Sequence, residues 1–136
     1  MPPLDTNVII RYLTNDHPIH SPQACAAFRD LAAGKAAVAL TEAVLVETVQ
    51  VLSSRTLYNL PRDEIRRHIG NIIRFRGVKL SHKRCCLRVL DLYTTLPVLS
   101  FVAALLAAYA EDSVERTIIS FDQGSDRVPG ITRREP

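Results

Sequence analysis

Three acidic residues, Asp5, Glu47 and Asp122, stand at positions where a carboxylate is costly unless something pairs with it. Asp5 closes a short apolar entry after Leu4, Glu47 shares a helical face with Val44 and Val51, and Asp122 follows the β-branched run Thr117-Ile118-Ile119. Drawn together without a counter-ion such groups repel, since two unit charges ~4 Å apart cost about 4 kcal/mol at an effective dielectric of about 20. A divalent cation reverses that sign. Oxygen-only donors select Mg2+ or Mn2+, and the scattered histidines and three cysteines lack zinc spacing. Such a centre supports hydrolysis of a phosphodiester, with water oriented for in-line attack and both attacking and leaving oxygens stabilised. Each residue also has a plainer reading. Asp5-Thr6-Asn7 can cap a helix, Glu47 can face solvent, and Asp122 can open an Asx turn ahead of Gly124.

The elements that would position these groups are short strands alternating with helices. Leu4 to Asp5 reads as an entry strand passing into a helix through Val8, Ile9, Ile10 and Leu13. Ser21-Pro22 starts a helix that Gly34 ends, and Val38-Ala39-Leu40 is a buried strand. Thr41 or a neighbour caps the next helix, Ala43 to Leu52, which is apolar nearly all round and is expected to be buried. Pro61 opens a helix with the stripe Ile65, Ile69, Ile72 and Ile73, closed by Gly77. Val78-Lys79-Leu80 reads as a strand, Lys83 to Thr94 as a basic amphipathic helix, and Ser100 as the cap of a small-residue helix through Ala110. Thr117 to Ser120 is a further strand. The tail from Gln123 to Pro136 is expected to be loop. This alternation argues for an α/β fold, a central parallel sheet flanked by helices on both faces, with ligands gathering beyond the carboxyl ends of the strands. Asp5 and Asp122 sit at such ends.

Bulk properties suit one domain spanning 1–136: 136 residues, 47% hydrophobic and 23% charged. No apolar run is long enough for a membrane span, the start lacks a secretory pattern, and the odd cysteine count gives no paired framework, so a cytoplasmic protein is expected. The net charge of +3 conceals a segregation: Arg55 to Arg88 holds ten Lys/Arg against Asp63 and Glu64, while both flanking stretches are acidic. A basic middle between acidic ends suits a polyanionic partner. Arg66, Arg67, Arg74, Arg76, Lys83 and Arg84 are the candidates for phosphate contact, giving salt-dependent affinity with little sequence information.

Over nearly the whole chain the motifs resemble the VapC branch of the PIN-domain family. The resemblance rests on Leu4-Asp5-Thr6-Asn7, on Thr41-Glu42-Ala43-Val44-Leu45-Val46-Glu47-Thr48, on Ile119-Ser120-Phe121-Asp122, and on the closing Pro129-Gly130-Ile131-Thr132-Arg133. It implies a PIN-like fold and a Mg2+- or Mn2+-dependent endoribonuclease toxin of a type II toxin-antitoxin pair. Asp5, Glu47 and Asp122 would then be the metal-holding catalytic acids and Asp126 a candidate further carboxylate. Thr6, Asn7 and Ser120 would hold those carboxylates by hydrogen bonds. A homodimer and a VapB-type antitoxin covering the acidic groove are implied as well. One position departs from the pattern: the family places another aspartate in the segment Ser100 to Leu106, where Ala103 stands. A methyl group binds no metal, so an impaired or inactive nuclease is expected. A deliberate aspartate-to-alanine change and a naturally degenerate paralogue both account for it.

Two other function classes are compatible with parts of the sequence. A non-catalytic PIN scaffold could bind RNA or antitoxin without cutting. A phosphotransferase or phosphatase could use Asp5 as nucleophile, but no second aspartate stands two residues after it.

Overall fold

Helix starts follow the local chemistry of the chain. Thr41 and Ser100 are both extended N-caps whose hydroxyls accept the amide three residues on, from Val44 and Ala103. Pro61 precedes a first turn carrying Asp63 and Glu64, which suits the helix dipole. The computed structural model describes all 136 residues. Their order is α1 (Thr6–Thr14), α2 (His20–Ala33), β1 (Val38–Ala39), α3 (Glu42–Ser53), α4 (Arg62–Arg74), β2 (Val78–Lys79), α5 (Lys83–Thr95), α6 (Phe101–Asp112), β3 (Thr117–Ile119), a 3-10 helix (Gln123–Arg127) and β4 (Thr132–Arg134). No helix is long and apolar enough to cross a membrane. The chain divides into two compact units, Met1–Ser81 and His82–Pro136.

In the first unit β1 and β2 pair in parallel, Val38 opposite Val78 and Ala39 opposite Lys79. Pro3 adds a parallel bridge to Ala39, fastened by Leu4 N–H to Ala39 O at 2.9 Å and Ala39 N–H to Pro2 O at 2.8 Å. Three extended segments therefore run the same way, and their carboxyl ends lead to Asp5, Thr41 and Ser81. Gly77 is where α2 meets this ladder. Its N–H donates to Leu31 O and its O accepts from Val38, both at 2.8 Å, and an added Cβ would lie 2.0 Å from Ala36 O. Only glycine fits. Packed on this frame are Ile9, Phe28, Leu45, Leu52, Ile65, Ile69 and Ile73, all essentially inaccessible, with Tyr12 stacked on Phe28 at 4.2 Å.

The second unit pairs α5 with α6. Ala104, Ala107 and Ala108 are buried, and such small side chains let helix axes approach. Tyr93 meets Phe101 edge-on at 5.5 Å, and Arg88 grips Glu111 through two hydrogen bonds of 3.0 and 2.9 Å. β3 and β4 form a second parallel pair, with Thr117, Ile118 and Ile119 opposite Thr132, Arg133 and Arg134.

Several expectations need correction. The pairing is parallel throughout and the alternation of helices and strands is present, but the ladders number two, one in each unit, rather than one continuous sheet. The tail is not loop: it holds the 3-10 helix and β4. Arg116 organises the return, its Nε donating to Gly130 O at 3.0 Å and its O accepting from Thr132 N–H at 3.0 Å. Thr-Arg-Arg carries no apolar signal, so only the partner strand defines β4. Helix α3 is amphipathic rather than wholly buried, with Leu45, Thr48, Val49 and Leu52 inside and Ala43, Glu47 and Gln50 exposed. Helix α2 begins one residue before Ser21, because His17 Nδ1 accepts the amides of Ile19 at 3.2 Å and His20 at 2.9 Å.

Candidate active site

Asp5 ends the extended entry and occupies the N-cap position of α1, yet its side chain makes no capping hydrogen bond. Its oxygens are left facing solvent at the carboxyl edge of the first ladder. Glu47 projects from the second turn of α3, the helix that leaves the same edge after β1, and it too is exposed. Helix α1 packs directly on α3 within this unit. The apolar surroundings expected for these acids are therefore absent, since the strands deliver them past the end of the ladder. Thr6 has its hydroxyl wholly enclosed with no hydrogen-bond partner, and the residue is 2% exposed. Asn7 is exposed and lines a cleft of about 450 Å³ with Val8, Arg11, His20 and Gln23.

In the second unit Asp122 follows β3. Its Oδ1 accepts from Gly124 N–H at 2.9 Å, the Asx turn, while its own N–H donates to Ser120 Oγ at 2.9 Å. The first bond holds the carboxylate through Oδ1, the second holds the backbone at this residue, and Asp122 is exposed. Gly124 is tightly seated: a Cβ there would lie 3.2 Å from Asp122 Oδ1 and 3.6 Å from both Leu99 Cδ2 and Val98 O. The turn that holds Asp122 thus lies against the residues entering α6, and the 3-10 helix packs on α6. Ala103 occupies the third position of that helix, buried, with its N–H donating to Ser100 Oγ at 3.1 Å.

Asp126 is already engaged. Arg133 Nε donates to its Oδ1 at 2.9 Å, while Arg133 Nη1 donates to Glu135 Oε2 at 3.0 Å and to Ser120 O at 3.1 Å. Hydrogen bonds to Asp126 and then Glu135 hold this guanidinium above its ordinary pKa. Arg133 is a clamp tying β4 to both ends of the Asp122 turn. Its side chain is only 13% exposed, so phosphate contact is not its first task. Sequence patterning missed this role, because the seven-residue spacing from Asp126 to Arg133 spans a turn at Gly130 rather than a helix or strand repeat.

Of the basic candidates, Arg66, Arg67 and Arg74 lie on the exposed side of α4, opposite its isoleucine stripe. Arg76 is exposed too, and its side chain crosses Gly34 at the end of α2, where helix carbonyls favour a cation. Lys83 and Arg84 stand in the first turn of α5, in the second unit.

A family model described as PIN domain matches residues 4–131. The chain belongs to the PIN-domain family. No curated protein matches it. The PIN match begins one residue before Asp5, ends past Asp122 and crosses both compact units. PIN domains are commonly metal-dependent nucleases that use Mg2+ or Mn2+. Asp5, Glu47 and Asp122 offer oxygen only, each with at least one oxygen outside any capping or turn bond, and the enclosed Thr6 hydroxyl lacks a partner beside Asp5. These features fit a hard divalent ion. Neither unit by itself groups three or more His, Cys, Asp or Glu side chains closely enough to hold one.

Proposed function

We propose that this PIN domain is an endoribonuclease toxin of the VapC kind, hydrolysing RNA phosphodiester bonds with Mg2+ or Mn2+, and that Ala103 impairs it. The observation that carries the proposal is the seating of the Asp122 turn against the entry to α6, with a methyl group three residues into that helix. An aspartate at 103 would stand in a first turn, where the dipole favours an anion, in the same unit as Asp122. The motif resemblance over four segments and the family match from residue 4 to 131 support the same assignment.

Asp5, Glu47 and Asp122 are the residues that would hold the ion. When bound, a divalent ion neutralises the phosphate and lowers the pKa of coordinated water. Within the protein, Gly124 N–H holds the Asp122 carboxylate through Oδ1 while Ser120 fixes the backbone beneath it, so its other oxygen is preorganised rather than recruited. Arg133 ties up Asp126 and Glu135, which lowers the negative charge facing an incoming phosphate. Asp126 therefore serves better as a clamp partner than as a further ligand. The exposed arginines of α4 with Arg76 and Arg84 supply a sequence-tolerant grip on the RNA backbone.

The two compact units act as one PIN domain in this assignment. A cytoplasmic location, a homodimer and a VapB-type antitoxin covering the acidic edge complete it. The alternative is a PIN scaffold that binds RNA or antitoxin without cutting, favoured by the buried methyl of Ala103. Ala103→Asp, assayed for cleavage of single-stranded RNA with Mg2+ or Mn2+, separates the two. Cleavage that appears in the variant and vanishes on adding Asp122→Asn supports the toxin. RNA binding without cleavage in Ala103→Asp establishes the scaffold.

A further inference from the structure

Arg29, Lys35, Arg74, Arg76 and Lys79 of the first unit are all exposed and carry no side-chain hydrogen bond or ion pair. Asp30 is the one acid in the two segments they occupy, 29–35 and 74–79. The fold joins these segments. Gly77 N–H donates to Leu31 O at 2.8 Å, and Arg76 lies over Gly34, its Nε 3.4 Å from where a Cβ would stand. Phe75 turns inward to Phe28, ring centroids 6.3 Å apart, while Arg74 and Arg76 on either side of it are exposed. Carbonyls at the end of α2 favour a cation over Gly34, which accounts for Arg76 and not for its neighbours. Because β2 starts at Val78, this surface lies at the amino edge of the first ladder, away from the acids. Pro3 pairs with Ala39 and Ala39 with Lys79, so Arg76 stands three residues before that level and Asp5 two residues after it. At ~3.3 Å per residue the two levels are roughly 16 Å apart along the strands.

We propose that Lys35, Arg74 and Arg76 form a remote contact site for the RNA backbone, holding the substrate several nucleotides away from the bond cut at the Asp5 edge. This rests on the nuclease reading above and adds to it a second point of attachment. Exposed cations without partners suit a polyphosphate backbone, which they bind with release of its counterions. Stacked nucleotides advance ~3.4 Å each, so roughly five of them separate the two levels. The grip therefore depends on RNA length: a short substrate meets the acids alone, and a longer one meets both edges.

Cleavage in the Ala103→Asp background separates a remote contact from one at the cut. A 12-nucleotide RNA spans both levels and a tetranucleotide does not. Arg74→Ala with Arg76→Ala is expected to raise KM for the 12-nucleotide RNA roughly 2- to 30-fold at low salt, the range for two exposed charge contacts, with kcat unchanged and the tetranucleotide unaffected. By anisotropy, with metal chelated and Ala103 retained, the same pair should lower the slope of log affinity against log salt by ~1.4, two phosphates at ~0.7 each. Arg74→Lys with Arg76→Lys should keep most of the affinity, since a phosphate accepts a point charge, which marks the loss in the alanine pair as one of charge rather than of packing over Gly34. If KM rises equally for both lengths, or the 12-nucleotide RNA is bound and cut as before, the remote site is wrong while the nuclease reading stands. If Ala103→Asp cuts neither RNA, yet the alanine pair weakens binding of the longer one, the nuclease reading fails and the basic surface remains an RNA contact. If RNA binding is unchanged and the alanine pair instead abolishes sedimentation with phosphatidylglycerol vesicles, the surface is a lipid contact and the proposal is overturned.

Discussion

At the scale of single residues, the hydroxyl of Thr6 and the guanidinium of Arg133 are opposite cases. Thr6 encloses a donor with no partner, a state that costs folding free energy. Thr6→Val, nearly the same shape, is expected to raise the unfolding free energy by about 1 kcal/mol in denaturant titrations. In an Ala103→Asp background it should also reduce RNA cleavage, if the hydroxyl serves water beside Asp5. A stability gain with undiminished cleavage would make Thr6 a packing residue only. Arg133 is the reverse, a cation with three acceptors. Arg133→Ala should lower the denaturant midpoint well below that of Arg134→Ala, and Arg133→Lys should not rescue it, because an ammonium cannot span Asp126, Glu135 and Ser120 O together. Equal midpoints for the alanine variants would contradict the clamp. The Asx turn at Asp122 was legible from an aspartate two residues before glycine. The Arg133 clamp was not, because it depends on β4 lying alongside β3.

At the scale of elements, features defined within one turn are legible in the sequence, and features set by a packing partner are not. Thr41, Ser100 and Pro61 mark helix starts through bonds within one turn, so sequence suffices. The burial of α3 depends on what packs against it. Its run of valines resembled an inside helix, although Glu47 and Gln50 face out. Gly77 is the residue on which the first ladder turns. Gly77→Ala drives a Cβ into Ala36 O and Leu31 O, both backbone, and is expected to destabilise the protein by ~3 kcal/mol or more. A normal melting temperature in that variant would contradict the close approach. The junction of α1 and α2 should respond to pH. His17 is held below its ordinary pKa of 6.5 by desolvation, then by His20 stacked 4.0 Å away and by Arg11, against a weaker pull from Asp16. Its Nδ1 also accepts two amides, which protonation there would break. A depressed folded-state value means that the unfolded chain takes up protons first. The contribution is thus whole above pH 6.5 and fades as pH falls below it. His17→Asn should flatten that part of the stability profile, measured by denaturant midpoint between pH 7 and 5. A profile of unchanged slope would exclude His17 as its source.

At the scale of the whole molecule, charge and chain order carried more information than any single motif. The basic middle maps onto the outer side of α4 and the start of α5, and the acidic ends contribute Asp5, Glu47 and Asp122. The family was legible because four motifs spread from residue 4 to the tail had to agree. The division into two compact units was not, since no linker composition marks Ser81. In the proposed function three carboxylates from distant parts of the chain share one ion, and Ala103 stands where a fourth belongs. Calorimetric titration of Mn2+ tests it most directly, without any RNA. Ala103→Asp is expected to bind one Mn2+ per chain more tightly than the parent, and Asp5→Asn, Glu47→Gln or Asp122→Asn in that background should each weaken it at least tenfold. Equal Mn2+ affinity with and without Ala103→Asp, or binding indifferent to all three neutralised acids, would contradict it.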